Sequence, residues 1–163
     1  MEVRAILYTS ATGFTERYAR MLSEAAGLPA CPAGGPDLPA PGSPVIYLGW
    51  LCAGRVRGLG RARGRYDLRA VCAVGMAPPE MVSLPRLAED NGLGDTPLFY
   101  LRGGYAPERL TGLYRPMMSL MSRMVSKASV EDEGARAMQE AFAKGGDWVS
   151  TEQLSPVLDA LTE

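Results

Sequence analysis

The sequence predicts an α/β fold, in which helices cover both faces of a doubly wound parallel sheet of five strands. Three observations predict it. Five short apolar runs are bounded by Gly or Pro clusters, helix-like stretches lie between most of them, and a hydroxyl-rich turn follows the first run. The length of 163 residues is most simply a single domain covering residues 1–163.

The predicted strands are apolar on both faces, as expected for a parallel sheet that is covered by helices on both sides. They comprise residues 4–8, 28–31, 45–51, 69–75 and 97–101. The second strand is expected to be short and weak, because residues 27–44 around it are rich in Pro, Gly and Ala and predict a surface connection.

The predicted helices fill most of the gaps between the strands. Phe14–Ala26 is the clearest, because its apolar residues recur on one stripe. Others comprise residues 79–91, 110–127 and 131–144. Pro116 lies inside one of these and is expected to kink or restart it. Residues 55–66 should form a further helix, but glycines in and beside this segment each disfavour a helix by up to about 1 kcal/mol, so we expect it to be short or irregular.

Composition excludes several classes of protein. The apolar share of 47% is ample for a core, and a net charge of −1 with no basic field argues against a nucleic-acid partner. There is no histidine, the commonest general base and transition-metal ligand, and the three cysteines form no CxxC pair, so we expect no metal or dithiol site. Three features favour a cytoplasmic protein. The cysteines are expected to be free thiols, the N-terminus does not resemble a signal peptide, and the sequence has no apolar run of about 18 residues.

The most informative segment is the turn after the first strand, here called the hydroxyl loop. It comprises Thr9, Ser10, Ala11, Thr12, Gly13, Phe14 and Thr15. A helix start presents unpaired backbone N–H groups and the positive end of its dipole, so an anion is favoured there. Hydroxyls add donors, and the absence of lysine excludes a nucleotide-hydrolysing P-loop. The alternative is that Ser10 or Thr12 only caps a helix.

The spacing Ser-x-Thr-Gly-x-Thr resembles the FMN phosphate loop of flavodoxins, where it also follows the first strand. The resemblance implies the flavodoxin-like strand order, FMN as cofactor, and two further loops around the flavin ring after the third and fourth strands. The residues placed in those loops are Trp50, Leu51, Cys52, Gly54, Gly75, Met76 and Ala77. Trp50 offers a ring face for stacking on the flavin, with Leu51 or Met76 as alternatives, and the glycines let backbone groups approach the ring.

Two of these residues have simpler interpretations. Trp50 could be an ordinary residue packed in the core at the end of its strand. Cys52 has no identifiable base to activate it, which favours a buried, inert thiol.

The resemblance extends along most of the chain. Residues 49–59, 98–105 and 146–149, with the Met-rich segment 110–127, resemble stand-alone flavodoxin-domain proteins of the menaquinone-dependent protoporphyrinogen dehydrogenase type. This implies an FMN-binding oxidoreductase that transfers electrons between a reduced substrate and a quinone or protein acceptor. No catalytic acid or base is identified with it; Tyr105 is the one candidate proton donor.

Two departures from the family pattern keep alternatives open. Phe14 stands where flavodoxins usually have Asn, which leaves a flavodoxin-fold protein that has lost FMN as one alternative. A non-enzymatic electron carrier is the other, although carriers are strongly acidic around the flavin and this chain is not. A phosphorylated receiver domain lacks its acidic cluster here, and a dinucleotide site lacks GxGxxG after the first strand.

Two segments indicate which kinds of partner the chain could contact. Six arginines between residues 55 and 69 predict a solvated basic surface, with an anionic partner, a carboxylated substrate or a membrane surface as alternatives. Residues 110–127 are basic, amphipathic and Met-rich. Core or homo-oligomer packing explains this segment, and so does peripheral contact with the inner face of the membrane or with a quinone.

Overall fold

The fold is built on a central sheet, seen in a computed structural model that describes residues 1–110, 112, 114–127 and 133–163. The strands of the described residues are β1 (Ala5–Thr9), β2 (Ala30–Pro32), β3 (Pro44–Cys52), β4 (Arg55–Val56), β5 (Asp67–Gly75), β6 (Leu98–Arg102), β7 (Gly104–Tyr105) and β8 (Gly146–Asp147). The order β2-β1-β3-β5-β6, parallel throughout, confirms the predicted flavodoxin-like doubly wound sheet.

The helices are α1 (Phe14–Ala26), α2 (Leu59–Arg63), α3 (Leu84–Asp90), α4 (Tyr114–Lys127), α5 (Glu133–Lys144) and α6 (Ser155–Thr162). The prediction for α1 is confirmed, and the expected irregular helix at 55–66 is the short α2. The predicted helix 79–91 is instead a 3-10 turn at Pro79–Met81 followed by α3. The terminal helix α6 had no prediction; its burial of Val157 against the core accounts for it.

Two predicted helix starts differ from the structure. Residue 110 lies outside α4, which begins at Tyr114, so Pro116 falls in the first turn, where proline is tolerated without a kink. For the predicted helix 131–144, residues 131 and 132 lie outside the described residues, and α5 begins at Glu133.

The two faces of the sheet bury separate cores. Helices α1 and α6 pack on one face through residues such as Tyr18, Leu22 and Val157. Helices α2 and α3 pack on the other through Leu59 and Leu87. The sheet residues between them are buried on both sides, which explains why the predicted strands are continuous apolar runs.

An excursion containing α4 and α5 leaves the sheet after β6 and returns before α6. Its two ends are joined by the antiparallel pair of β7 and β8, and Trp148 N donates to Gly103 O at 2.8 Å. Arg17 of α1 donates to Asp147 at 2.6 Å, and the Arg102 guanidinium lies 3.8 Å from the centre of the Trp148 ring. The base of the excursion is therefore fixed at the carboxyl edge of the sheet.

Candidate functional site

The hydroxyl loop joins β1 to α1 at the carboxyl edge of the sheet. Gly13 is the N-cap of α1 with φ of 99°, a left-handed conformation that favours glycine, and no side chain caps the helix. Ser10 Oγ accepts from Gly13 N at 3.1 Å instead. The Ser10 hydroxyl thus has a local role at the entry to α1, as the capping alternative proposes, but no side chain caps the first turn of the helix, which remains suited to an anion.

A cation that the sequence reasoning did not assign to this loop lies against it. Arg109 precedes α4, and its Nη1 donates to the Thr12 carbonyl at 3.2 Å. The same atom lies 3.8 Å from where a side chain on Gly13 would begin. Arg109 is 97 residues away from Thr12 in the chain, so no local motif could have indicated the contact.

The end of β3 forms a tight hairpin with β4. Ala53 and Gly54 both have positive φ, of 51° and 76°, as a two-residue hairpin turn requires. The buried side chain of Asn91 fixes this hairpin: its Oδ1 accepts from Val56 N and its Nδ2 donates to Gly54 O, both at 2.9 Å. Gly54 therefore serves the turn, and Asn91 is a positioning residue that the sequence reasoning missed.

The loop after β5 is tied to β6. The Tyr100 hydroxyl donates to the Ala77 carbonyl at 2.7 Å, and Arg102 Nε donates to the Met76 carbonyl at 3.1 Å. A side chain on Gly75 would begin 3.2 Å from Leu51, so the ends of β3 and β5 approach closely there.

These three loops enclose a cleft, here called the edge cleft. The predicted site residues that line it are Ser10, Ala11, Thr12, Phe14, Thr15, Trp50, Leu51, Gly75 and Met76. The predicted residues that do not line it are Gly13, Cys52, Gly54 and Ala77. Cys52 is buried, and Gly13 takes the left-handed conformation from which α1 begins.

The edge cleft is narrow because residues 104–110, here called the cover segment, lie along it. Its volume is about 70 Å³, and Tyr105, Ala106 and Leu110 line it. Tyr105 packs edge-on against Phe142 of α5, with ring centres 5.3 Å apart. Burial raises the pKa of the Tyr105 phenol, and the nearby Glu108 charge adds to this, so the phenol keeps its proton near neutral pH.

Phe14 connects the hydroxyl loop to the cover segment. It is buried, and a side chain on Gly104 would begin 2.6 Å from its ring carbon Cζ. Because Gly104 has no side chain, its backbone can lie on this ring. The residue that departs from the flavodoxin pattern thus has a packing role against the start of the excursion.

A second, wider cleft opens on the opposite side of the hydroxyl loop. It is here called the crossover cleft, because the connection between β2 and β3 forms one wall. Its volume is about 760 Å³, and its lining includes Arg57, Arg61, Arg65 and Tyr66. Ser10, Ala11, Trp50 and Leu110 line both clefts, so the two lie side by side along the edge.

Comparisons with protein-family models, with curated proteins and with solved structures found no match to this chain. Within the parts of the chain that the structure describes, no helix has the length and apolar character needed to cross a bilayer.

Proposed function

We propose that this chain is an FMN-binding oxidoreductase of the flavodoxin-like kind. It would transfer electrons between a reduced substrate and a quinone or protein acceptor, as the resemblance to menaquinone-dependent protoporphyrinogen dehydrogenases implies. The observation that carries the proposal is the edge cleft, where the hydroxyl loop meets the loops after β3 and β5. In doubly wound folds, ligands bind in this crevice at the switch point of strand order.

The donors at the hydroxyl loop fit a phosphate monoester. Ser10, Thr12 and the buried Thr15, all hydroxyl residues, line the cleft, and the start of α1 supplies backbone N–H groups. The Arg109 guanidinium adds a positive charge beside Thr12. These groups would hold the phosphate, and a flavin, when bound, supplies the hydride and electron chemistry.

The remaining lining suits a planar aromatic ring. Trp50 and Leu51 of β3 line the cleft, together with Gly75 and Met76 at the end of β5. The Tyr105 phenol, which lines the cleft and is protonated at neutral pH like any tyrosine, is available to donate a hydrogen bond. The hydrogen bonds from Tyr100 and Arg102 hold the backbone of residues 76 and 77 in place for this role.

A second candidate is a flavodoxin-fold protein that no longer binds FMN. The narrowness of the edge cleft favours it, since about 70 Å³ is far below the roughly 300–1,000 Å³ of typical small-molecule sites. The FMN proposal therefore requires the cover segment to move away from the ring site when FMN binds.

An absorption spectrum and a thermal-shift titration of the purified protein with FMN separate the two candidates. We expect bound flavin and a melting temperature that rises with FMN concentration, because a ligand that binds only the native state stabilises it. The variant Thr12→Ala should bind FMN roughly tenfold more weakly, since hydrogen bonds to charged groups contribute about 1.5–3 kcal/mol. Thr151→Ala is the matched control, because Thr151 is exposed and does not line the edge cleft.

For access to a quinone as electron acceptor, we propose that α4 makes peripheral contact with a membrane surface. Leu120 and Met124 are one helical turn apart, and their exposed fractions are 60% and 65%. Arg115 and Arg123 on the same helix are exposed as well, as in helices that lie on anionic lipid.

Co-sedimentation with vesicles of anionic lipid tests this contact. We expect the double variant Leu120→Ser/Met124→Ser to lose most of the bound fraction. Met81→Ser/Leu84→Ser is the matched control, because both side chains are large, apolar and exposed outside α4. An unchanged bound fraction in the α4 variant would contradict the proposal, and a shift from dimer to monomer would assign α4 to subunit contact.

A further inference from the structure

The crossover cleft exists because one covering helix is missing. A connection between parallel strands usually contains a helix that packs on the sheet. Residues 33–43, which join β2 to β3, form turns and bends instead. The next connection contributes only the short α2. A groove therefore remains over β1, with Leu7 at its floor and Leu38 in its wall.

The cleft has a marked excess of positive charge. Arg57, Arg61 and Arg65 line it, and none of the described residues that line it is acidic. Arg61 and Arg65 are exposed, and no ion pair among the described residues involves either of them. Asp37, on the crossover itself, lies near Cys31, whose pKa is raised by burial and then by the Asp37 charge.

A second observation at this cleft concerns Tyr66. Tyr66 lines it with only 9% of its surface exposed, and the Tyr66 hydroxyl is a buried side-chain polar atom without a hydrogen-bond partner in the described part of the chain. Buried polar groups are nearly always paired, so we expect this hydroxyl to bond to an ordered water or a ligand beyond the described residues. The Arg65 guanidinium lies 5.6 Å from the centre of the Tyr66 ring, so this positive charge lies beside the tyrosine that bears the hydroxyl.

We propose that the crossover cleft binds the diphosphate group of a nucleotide-sized ligand, with Arg61 and Arg65 on the phosphates and the Tyr66 hydroxyl donating to a phosphoryl oxygen. The phosphates here would lie on Arg61 and Arg65 rather than at the start of α1, although Ser10, Ala11 and Trp50 line both clefts, and the proposal does not depend on FMN binding.

The charge and size of the cleft favour a nucleotide-sized ligand that carries a diphosphate. Each terminal phosphate carries about −1.5 to −2 charge near pH 7, whereas one carboxylate carries a single charge and would leave the arginines uncompensated. Guanidinium groups match the geometry of phosphate oxygens. The volume of about 760 Å³ exceeds what an inorganic anion needs, and the partly buried Leu38, over the buried Leu7 and Ala62, supplies apolar surface for the rest of the ligand.

Calorimetric titration of the full chain with pyrophosphate, ADP and citrate tests the site. We expect ADP to bind more tightly than pyrophosphate, and citrate more weakly than both. Arg61→Gln/Arg65→Gln should weaken ADP binding at least about tenfold, and Tyr66→Phe by about threefold to tenfold. The control Arg69→Gln/Arg86→Gln removes two exposed charges outside the cleft and should change affinity less than about twofold.

Three results would overturn the proposal. Equal losses in the cleft and control double variants would indicate a diffuse charge effect. Citrate binding as tightly as ADP would exclude the diphosphate class. Displacement of ADP by FMN would make the cleft part of the flavin site. Failure of FMN to bind at all would remove the proposed function alone, because the ADP titration is read on the protein without FMN.

Discussion

The edge cleft and the crossover cleft share residues of the hydroxyl loop and Trp50, yet they are built in opposite ways. The edge cleft is enclosed by loops that hydrogen bonds fix in place, and a returning segment narrows it. The crossover cleft is wide because a helix is absent from the connection that would have filled it. The edge cleft is thus narrow because a returning segment covers it, and the crossover cleft is wide because a connecting helix is absent, although both lie beside the ends of β1 and β3.

The difference also lies in charge. At the edge cleft, the Asp147 carboxylate, which is paired with Arg17, also interacts with the charge of Arg109 and partly balances it. In the crossover cleft, Arg61 and Arg65 face no lining carboxylate. We therefore expect the edge cleft to discriminate by shape and the crossover cleft by charge. The predictions that follow test the crossover cleft and then the edge cleft.

The largest expected effect is at Gly58, which lines the crossover cleft beside the end of β1. A side chain there would overlap the Tyr47 hydroxyl and begin 2.8 Å from Thr9 Oγ1, and φ is 78°. Tyr47 Oη lies 2.8 Å from Thr9 Oγ1 and donates to Arg57 O at 2.5 Å. Gly58→Ala should lower the free energy of unfolding by about 3 kcal/mol, from backbone strain and overpacking together.

The matched control is Gly54→Ala. Gly54 has a similar φ of 76°, but nothing lies within 4 Å of a side chain there. It should cost about 1 kcal/mol from strain alone. Urea unfolding of both variants measures the difference, and equal losses would mean that the contacts of Tyr47 do not stabilise this part of the fold.

The next effect is at Tyr66, which lines the crossover cleft but is not among the residues that line the edge cleft. Tyr66→Phe removes the buried hydroxyl that has no partner among the described residues, so it should raise the free energy of unfolding of the ligand-free protein by about 1 kcal/mol. A loss of stability of that size would show that the hydroxyl is hydrogen-bonded and would remove the main support for the crossover ligand.

A comparable but smaller change is expected at Arg109, on the edge side. Arg109→Gln should weaken FMN binding roughly fivefold, about 1 kcal/mol, because the guanidinium is exposed and screened by solvent. Arg123→Gln, on the exposed surface of α4, is the control. Fluorescence titration with FMN gives both affinities, and the effect of Arg109 should shrink as salt is raised.

The smallest effect is the pH dependence at the base of the excursion. Burial alone would raise the pKa of Asp147, but the Arg17 and Val149 N hydrogen bonds and the Arg17 and Arg109 charges hold it below its usual value. The stabilisation is therefore complete above the unfolded pKa, near 4, and is lost as pH falls through the lower folded pKa. For this half-exposed pair we expect about 0.5 kcal/mol.

Asp147→Asn isolates this contribution. The unfolding free energies of the variant and the wild-type chain should differ at pH 7 and converge near pH 2. A constant difference across that range would mean that the Asp147 charge does not stabilise the excursion.

The sheet and the edge cleft were largely predictable from sequence because their signals are local. A strand, a hydroxyl turn and a helix are contiguous in residues 5–26, and continuous apolar runs mark the buried strands. Arg109 and Asn91 were not predictable as site residues, since their contacts with Thr12 and Val56 join distant parts of the chain. The crossover cleft was missed because the sequence showed the arginines but not the groove that the absent helix leaves.

The central claim is that the hydroxyl loop holds a phosphate, and the most direct measurement compares FMN with riboflavin, which has the same ring without that group. Calorimetric titration of the wild-type chain should show FMN binding at least about a hundredfold more tightly, since two or more charge-assisted hydrogen bonds contribute about 3 kcal/mol. Equal affinities for FMN and riboflavin would contradict the account, and so would the absence of binding by both.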